Sequence, residues 1–92
     1  MLTQRLSYGA KNYSVLCLDE DSQTLDFLAN NLKPYFRIVY TAKNSKEAMN
    51  HYRKDPVDIV ITDVGSGVSD GLAFGLNVKE YNPKIKILLC TG

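Results

Sequence analysis

The run Ile59-Val60-Ile61-Thr62-Asp63-Val64-Gly65 sets the frame for the whole chain. β-branched residues between Asp/Pro on one side and Gly/Ser on the other read as a strand. A strand apolar on both faces belongs in the middle of a parallel sheet, covered by helices. Asp63 then stands at the carboxyl end of a central strand, the edge of open α/β sheets where ligands bind. Asp is also a common turn former, so a plain strand-ending role stays open from this stretch alone.

The chain has 92 residues, enough for one small domain, and a formal net charge of +1. So balanced a charge speaks against general binding of nucleic acid or membrane surfaces, which calls for a basic stripe. No apolar run reaches the roughly 18 residues of a membrane span, and Met1 to Tyr13 lacks the apolar heart of a signal peptide. A cytosolic protein is expected. Cys17 and Cys90 each lie within an apolar run, without CxxC or zinc spacing, and read as buried, reduced thiols.

Residues 1–12 show no periodicity and read as a leader, with the domain proper spanning 13–92. Ser14 to Leu18 is a continuous apolar run, the first strand. It runs into Asp19-Glu20-Asp21, whose mutual repulsion is relieved by a hard cation such as Mg²⁺ or by fanning into water and feeding the next helix. Asp21 or Ser22 can cap that helix, and Leu25, Leu28, Ala29 and Leu32 form its apolar face up to Pro34. Phe36 to Ala42 is a more polar strand, nearer an edge.

Asn44 with Glu47 has the form of a variant capping box. Ala48, Met49 and Tyr52 give the second helix its inward face, and His51 belongs on the solvated side. Lys54-Asp55-Pro56 ends it. Gly71 to Tyr81 is a third helix, with Leu72, Gly75 or Leu76, and Lys79 stepping around it. Lys86 to Cys90 is a further buried strand. The loop Gly65-Ser66-Gly67 is no dinucleotide loop: Asp70 holds the place of the third glycine and the strand before it is not the first. The P-loop pattern is absent as well. Strands alternating with helices imply parallel strands joined by right-handed crossovers.

In this order the residues resemble the receiver domain of two-component response regulators. Four features carry the resemblance: Asp19-Glu20-Asp21 after the first strand; Asp63 ending the third, with Asp70-Gly71 beyond it; the stretch Ala42 to Met49; and Thr91 after the fourth strand. The resemblance covers about Tyr13 to Gly92 and implies an α/β, doubly wound, flavodoxin-like fold of strand order 2-1-3-4-5. It implies that Asp63 accepts a phosphoryl group from a histidine kinase or phosphotransfer protein. Asp19, Glu20, Asp63 and the carbonyl of Gly65 would hold Mg²⁺, and Thr91 would act as the switch hydroxyl. A signalling switch is then expected rather than a metabolic enzyme, with no direct nucleic-acid binding.

Departures from the family's pattern are visible too. Ser66 and Gly67 stand where the family has methionine and proline, and Glu20 stands for the commoner second Asp. The family's fourth helix, fifth strand and fifth helix, with its phosphate-pairing lysine, have no counterpart in the 92 residues. A bare fourth-strand edge is expected to drive self-association or exchange of elements. These departures favour an alternative, a degenerate receiver that binds partners without phosphorylation. A small metal-assisted hydrolase ranks last, for want of a second base or nucleophile.

Overall fold

The computed structural model describes residues 10–63 and 70–90. A 3-10 turn, Ala10–Asn12, leads into β1 (Ser14–Leu18), α1 (Ser22–Leu32), β2 (Ile38–Ala42), α2 (Ser45–Lys54), β3 (Ile59–Asp63), α3 (Asp70–Tyr81) and β4 (Lys86–Cys90). The four strands form one parallel sheet in the order β2-β1-β3-β4. No helix among the described residues is long and apolar enough to cross a membrane.

Alternation along the strands divides the core between the two faces of the sheet. Leu16, Leu18 and Val60 face Ala48 of α2 and Phe74 and Val78 of α3, with Val57 and Ile85 closing that layer. Val15, Cys17 and Ile61 face Leu25 of α1 and Phe36, with Leu28 and Leu32 packed against them. β1 is buried at every position because it has a strand on each side and helices over both faces.

Both early helices are started by the side chains expected to start them. Asp21 accepts from the backbone N–H groups of Gln23 (3.4 Å) and Thr24 (3.3 Å). Asn44, in extended geometry, accepts from Glu47 N–H at 2.9 Å, while Glu47 reaches back past it to the N–H of Lys43 at 3.0 Å. Each bond satisfies a donor that the first turn of a helix leaves unpaired.

Several expectations are corrected. Strand β2 begins at Ile38 rather than Phe36, since ladder pairing starts with Ser14 opposite Ile38; Phe36 turns into the core instead. His51 is half-buried, its ring tilted against Tyr40 with centroids 5.0 Å apart. Tyr40 is fixed in turn: its hydroxyl donates to Asp55 Oδ2 at 2.5 Å, and Arg37 pairs with Asp55 at 3.5 Å. The inward face of α3 is Gly71, Phe74, Gly75 and Val78, whereas Leu76 is 56% exposed and Lys79 ties its ammonium to the carbonyls of Pro83 and Ile85. Finally, β4 is not buried. Leu88 and Leu89 are 51% and 52% exposed and Cys90 is exposed, because among the described residues β4 pairs on one side only, with β3. Within β4 only Ile87 packs against the core.

Candidate functional site

The pairing of β1 with β3 sets Leu18 opposite Thr62, so Asp19, just past the end of β1, and Asp63, the last residue of β3, stand at the same carboxyl rim. Both carboxylates line a pocket of about 190 Å³ there. Leu18, Leu28 and Ile61 form its apolar floor, and Thr24 and Cys90 complete its wall. Cys90 arrives because it is the ladder partner of Asp63. Thr24 and Cys90 carried no signal as pocket residues in the sequence; strand register and the first turn of α1 bring them in.

The acidic run after β1 divides its labour. Asp19 is half-buried; its N–H donates to the carbonyl of Ala42 (3.1 Å), and its Oδ1 accepts from the N–H of Asp21 (2.9 Å). That second bond ties the carboxylate to the backbone of the turn. Asp21 is taken up by the helix cap, where Thr24 Oγ1 also donates to it at 2.7 Å. This hydroxyl bond, ahead of the backbone N–H groups, holds the Asp21 carboxyl below its ordinary value. Glu20 is exposed and does not line the pocket.

Of the residues singled out from the sequence, the structure therefore brings Asp19 and Asp63 together and leaves Glu20 pointing to solvent. Gly65 and Thr91 lie outside the described residues. Among the described residues no group of three His, Cys, Asp or Glu side chains is placed to hold a metal ion. Two acidic residues lining one pocket nevertheless suit Mg²⁺, which is bound through one or two carboxylates and keeps several waters.

The floor of the rim is held from below by a glycine. A Cβ on Gly71 would stand 1.7 Å from Thr62 Oγ1 and 2.8 Å from Thr62 Cβ. Only a residue without a side chain lets the first turn of α3 press on the residue just before Asp63. Larger concavities lie elsewhere, between α2 and α3 (about 430 Å³) and at the amino rim beside Tyr13 and Asp58 (about 520 Å³). Neither brings two carboxylates together.

Residues 15–92 match the family model described as the response regulator receiver domain. Among curated proteins, the chain is 29% identical over 78 residues to the chemotaxis protein CheY of Halobacterium salinarum, covering 85% of this chain and 65% of the relative. It is 29% identical over 81 residues to the transcriptional regulatory protein ZraR of Escherichia coli strain K12, covering 88% of this chain and 18% of that one. Among solved structures, the chemotaxis response regulator CheY4 of Vibrio cholerae superposes with a TM-score of 0.70 at 25% identity, over 84% of this chain and 66% of that one. The chain thus spans just under two thirds of the length of the chemotaxis proteins it matches.

Proposed function

The chain belongs to the response regulator receiver domain family, and from that premise we propose that Asp63 accepts a phosphoryl group from the phosphohistidine of a histidine kinase or phosphotransfer protein. The observation that carries this reading is the shared pocket of Asp19 and Asp63 at the carboxyl rim. In the transfer an Asp63 carboxylate oxygen forms a bond to phosphorus, the bond from phosphorus to the imidazole nitrogen breaks, and the donor histidine leaves with the electron pair. The chain's own part is placement: β3 presents Asp63 at the rim, and the Asp21 N–H fixes Asp19 beside it.

Asp19 and Asp63 are the groups that would hold Mg²⁺, joined by Glu20 after a side-chain rotation and by the Gly65 carbonyl. Bound there, the ion supplies positive charge that offsets the repulsion between a phosphate dianion and a carboxylate. Thr91 is proposed as the hydroxyl that senses the phosphoryl group, and a cytoplasmic location follows from the proposed kinase partner.

The test is incubation with Mg²⁺ and acetyl phosphate, followed by intact-mass measurement. A gain of one phosphoryl group in the wild type, lost in Asp63→Asn and strongly reduced in Asp19→Asn, is the expected result. The outward position of Glu20 favours a second reading, a receiver that engages partners without being phosphorylated. Mg²⁺ binding with no mass gain from any phosphodonor would select it.

Self-association is the remaining part of the proposal. Leu88 and Leu89 are half-exposed on a strand paired on one side among the described residues, and such margins recruit other strands. Light scattering should report species larger than a monomer that dissociate on dilution, and Leu88→Lys with Leu89→Lys should shift the distribution to monomer. A monomer at every concentration would refute it.

A further inference from the structure

The groove between α2 and α3 lies away from the rim pocket and takes no part in the proposed phosphoryl transfer. It has a volume of about 430 Å³ and is bounded by Lys46, Met49, Asn50 and Arg53 of α2 and by Phe74 and Asn77 of α3. Its chemistry is one-sided. Among the described residues Lys46 and Arg53 have no ion pair and no acid lines the groove. Glu47, the acid on the same helix, is turned to the N–H of Lys43 at the helix start.

Lys46 and Arg53 are two helical turns apart on one face, about 10 Å along the axis at about 1.5 Å per residue. Residues three apart on an extended chain of polyproline II form face the same side and are separated by nearly that distance, at about 3.1 Å per residue. Between the cations, Asn50 and Asn77 present carboxamides from opposite walls. A carboxamide offers both donor and acceptor, which is what an extended backbone needs. Met49 and Phe74 supply an apolar floor for one side chain, and Met adapts its shape readily.

We propose that this groove docks an extended acidic segment of a partner protein, with two carboxylates three residues apart and an apolar side chain between them. The carboxylates pair with Lys46 and Arg53, the carboxamides of Asn50 and Asn77 bond the backbone, and the apolar side chain rests on Met49 and Phe74. The surface lies on the face of the sheet opposite α1 and is independent of the role of Asp63.

The probe is a fluorescein-labelled peptide of sequence Gly-Glu-Leu-Ser-Glu-Gly, titrated against the 92-residue chain by anisotropy and by amide chemical-shift mapping at low salt. Expected are saturable binding, shifts confined to α2 and α3, and roughly tenfold weaker binding in Lys46→Glu/Arg53→Glu. The same double variant should prefer a peptide with both glutamates replaced by lysines. Amide dispersion of the variant shows that it is folded, and Asp63→Asn should bind the acidic peptide as the wild type does. Any of the following overturns the proposal: no binding at millimolar peptide, equal binding by the double variant, equal binding of a peptide with adjacent glutamates, or retention on phosphatidylglycerol vesicles with no response to the peptide.

Discussion

The strand at the centre of the sheet, β1, and the strand at its margin, β4, have similar apolar content and almost nothing else in common. Val15, Leu16 and Cys17 are fully buried and Leu18 nearly so, whereas Leu88, Leu89 and Cys90 are exposed and Ile87 alone is partly covered. β1 has β2 and β3 as neighbours and helices on both faces; β4 has β3 on one side and meets the core through Ile87. Burial here is a property of what surrounds a run. The contrast has a functional side, since the carboxyl end of β1 delivers a fixed carboxylate to the rim while the carboxyl end of β4 delivers a thiol to its open wall.

The sharpest break of this comparison is the same substitution made in both strands. Leu16→Ala removes a fully buried side chain from the layer under α2 and α3 and should cost about 2–5 kcal/mol. Leu88→Ala removes one already half in water and should cost roughly a third of that or less. Urea unfolding of the two variants gives the ratio. Near-equal losses would mean that β4 is covered in solution by something that buries Leu88 as fully as Leu16, self-association being the proposed source. Against a typical total of about 5–15 kcal/mol, Leu16→Ala alone threatens the fold.

Next in size is the contact that seats α3 beneath β3. Gly71→Ala would drive a methyl group into Thr62 Oγ1, with the Thr62 Cβ close behind and Leu18 Cδ2 at 3.1 Å. A loss of about 1–3 kcal/mol is expected, the usual range for overpacking a tight core. Thr62→Ala removes the closest obstruction but leaves the 2.8 Å approach of its Cβ, so the double variant should recover part of the loss and not all. Additive losses, read from denaturation midpoints, would show that α3 does not press on Thr62. Gly75→Ala makes the comparison finer, because its new Cβ would meet the flexible end of Ile87 at 3.1 Å and a small shift relieves it.

Much of this was legible from residue order, for identifiable reasons. The bounds of β1 and β4 follow from continuous apolar runs ended by acids or by Thr-Gly, and that of β3 from β-branched residues ended by Asp63. Strand alternation then makes the meeting of Asp19 and Asp63 a matter of topology. The inward face of α3 was harder: two of its four positions are glycines, so the apolar stripe has no side chains at Gly71 and Gly75, and Leu72 and Leu76 outweigh Phe74 and Val78 by eye. The exposure of Cys90 escapes the sequence for a related reason. Once a strand ends, the direction of a loop side chain is set by local hydrogen bonds such as Asp21 N–H to Asp19, and exposure is set by neighbours that a single run does not display. The half-buried position of His51 is not visible in its own helix, because its partner, Tyr40, comes from a different element.

The effect that is smallest at neutral pH, and grows only in alkaline solution, compares two thiols. Burial, with a lesser contribution from Cys90, pushes the Cys17 thiol up from 9.0 to about 12. Between those values the folded chain keeps a proton that the unfolded chain gives up, so stability is fully present below about pH 9 and declines as pH rises toward 12. The slope from this one group approaches about 1.4 kcal/mol per pH unit in that window. Tyr40 contributes with the same sign, because its hydroxyl proton is held by Asp55 and its ionisation is displaced upward. Cys17→Ala separates the two: it should flatten the alkaline decline by the Cys17 share while the Tyr40 share persists. Cys90→Ala should remove only the lesser contribution that Cys90 makes to raising Cys17. Equal flattening by both substitutions would mean that Cys17 and Cys90 occupy similar surroundings in solution, and the contrast between β1 and β4 would fail at the position where it is most directly measured.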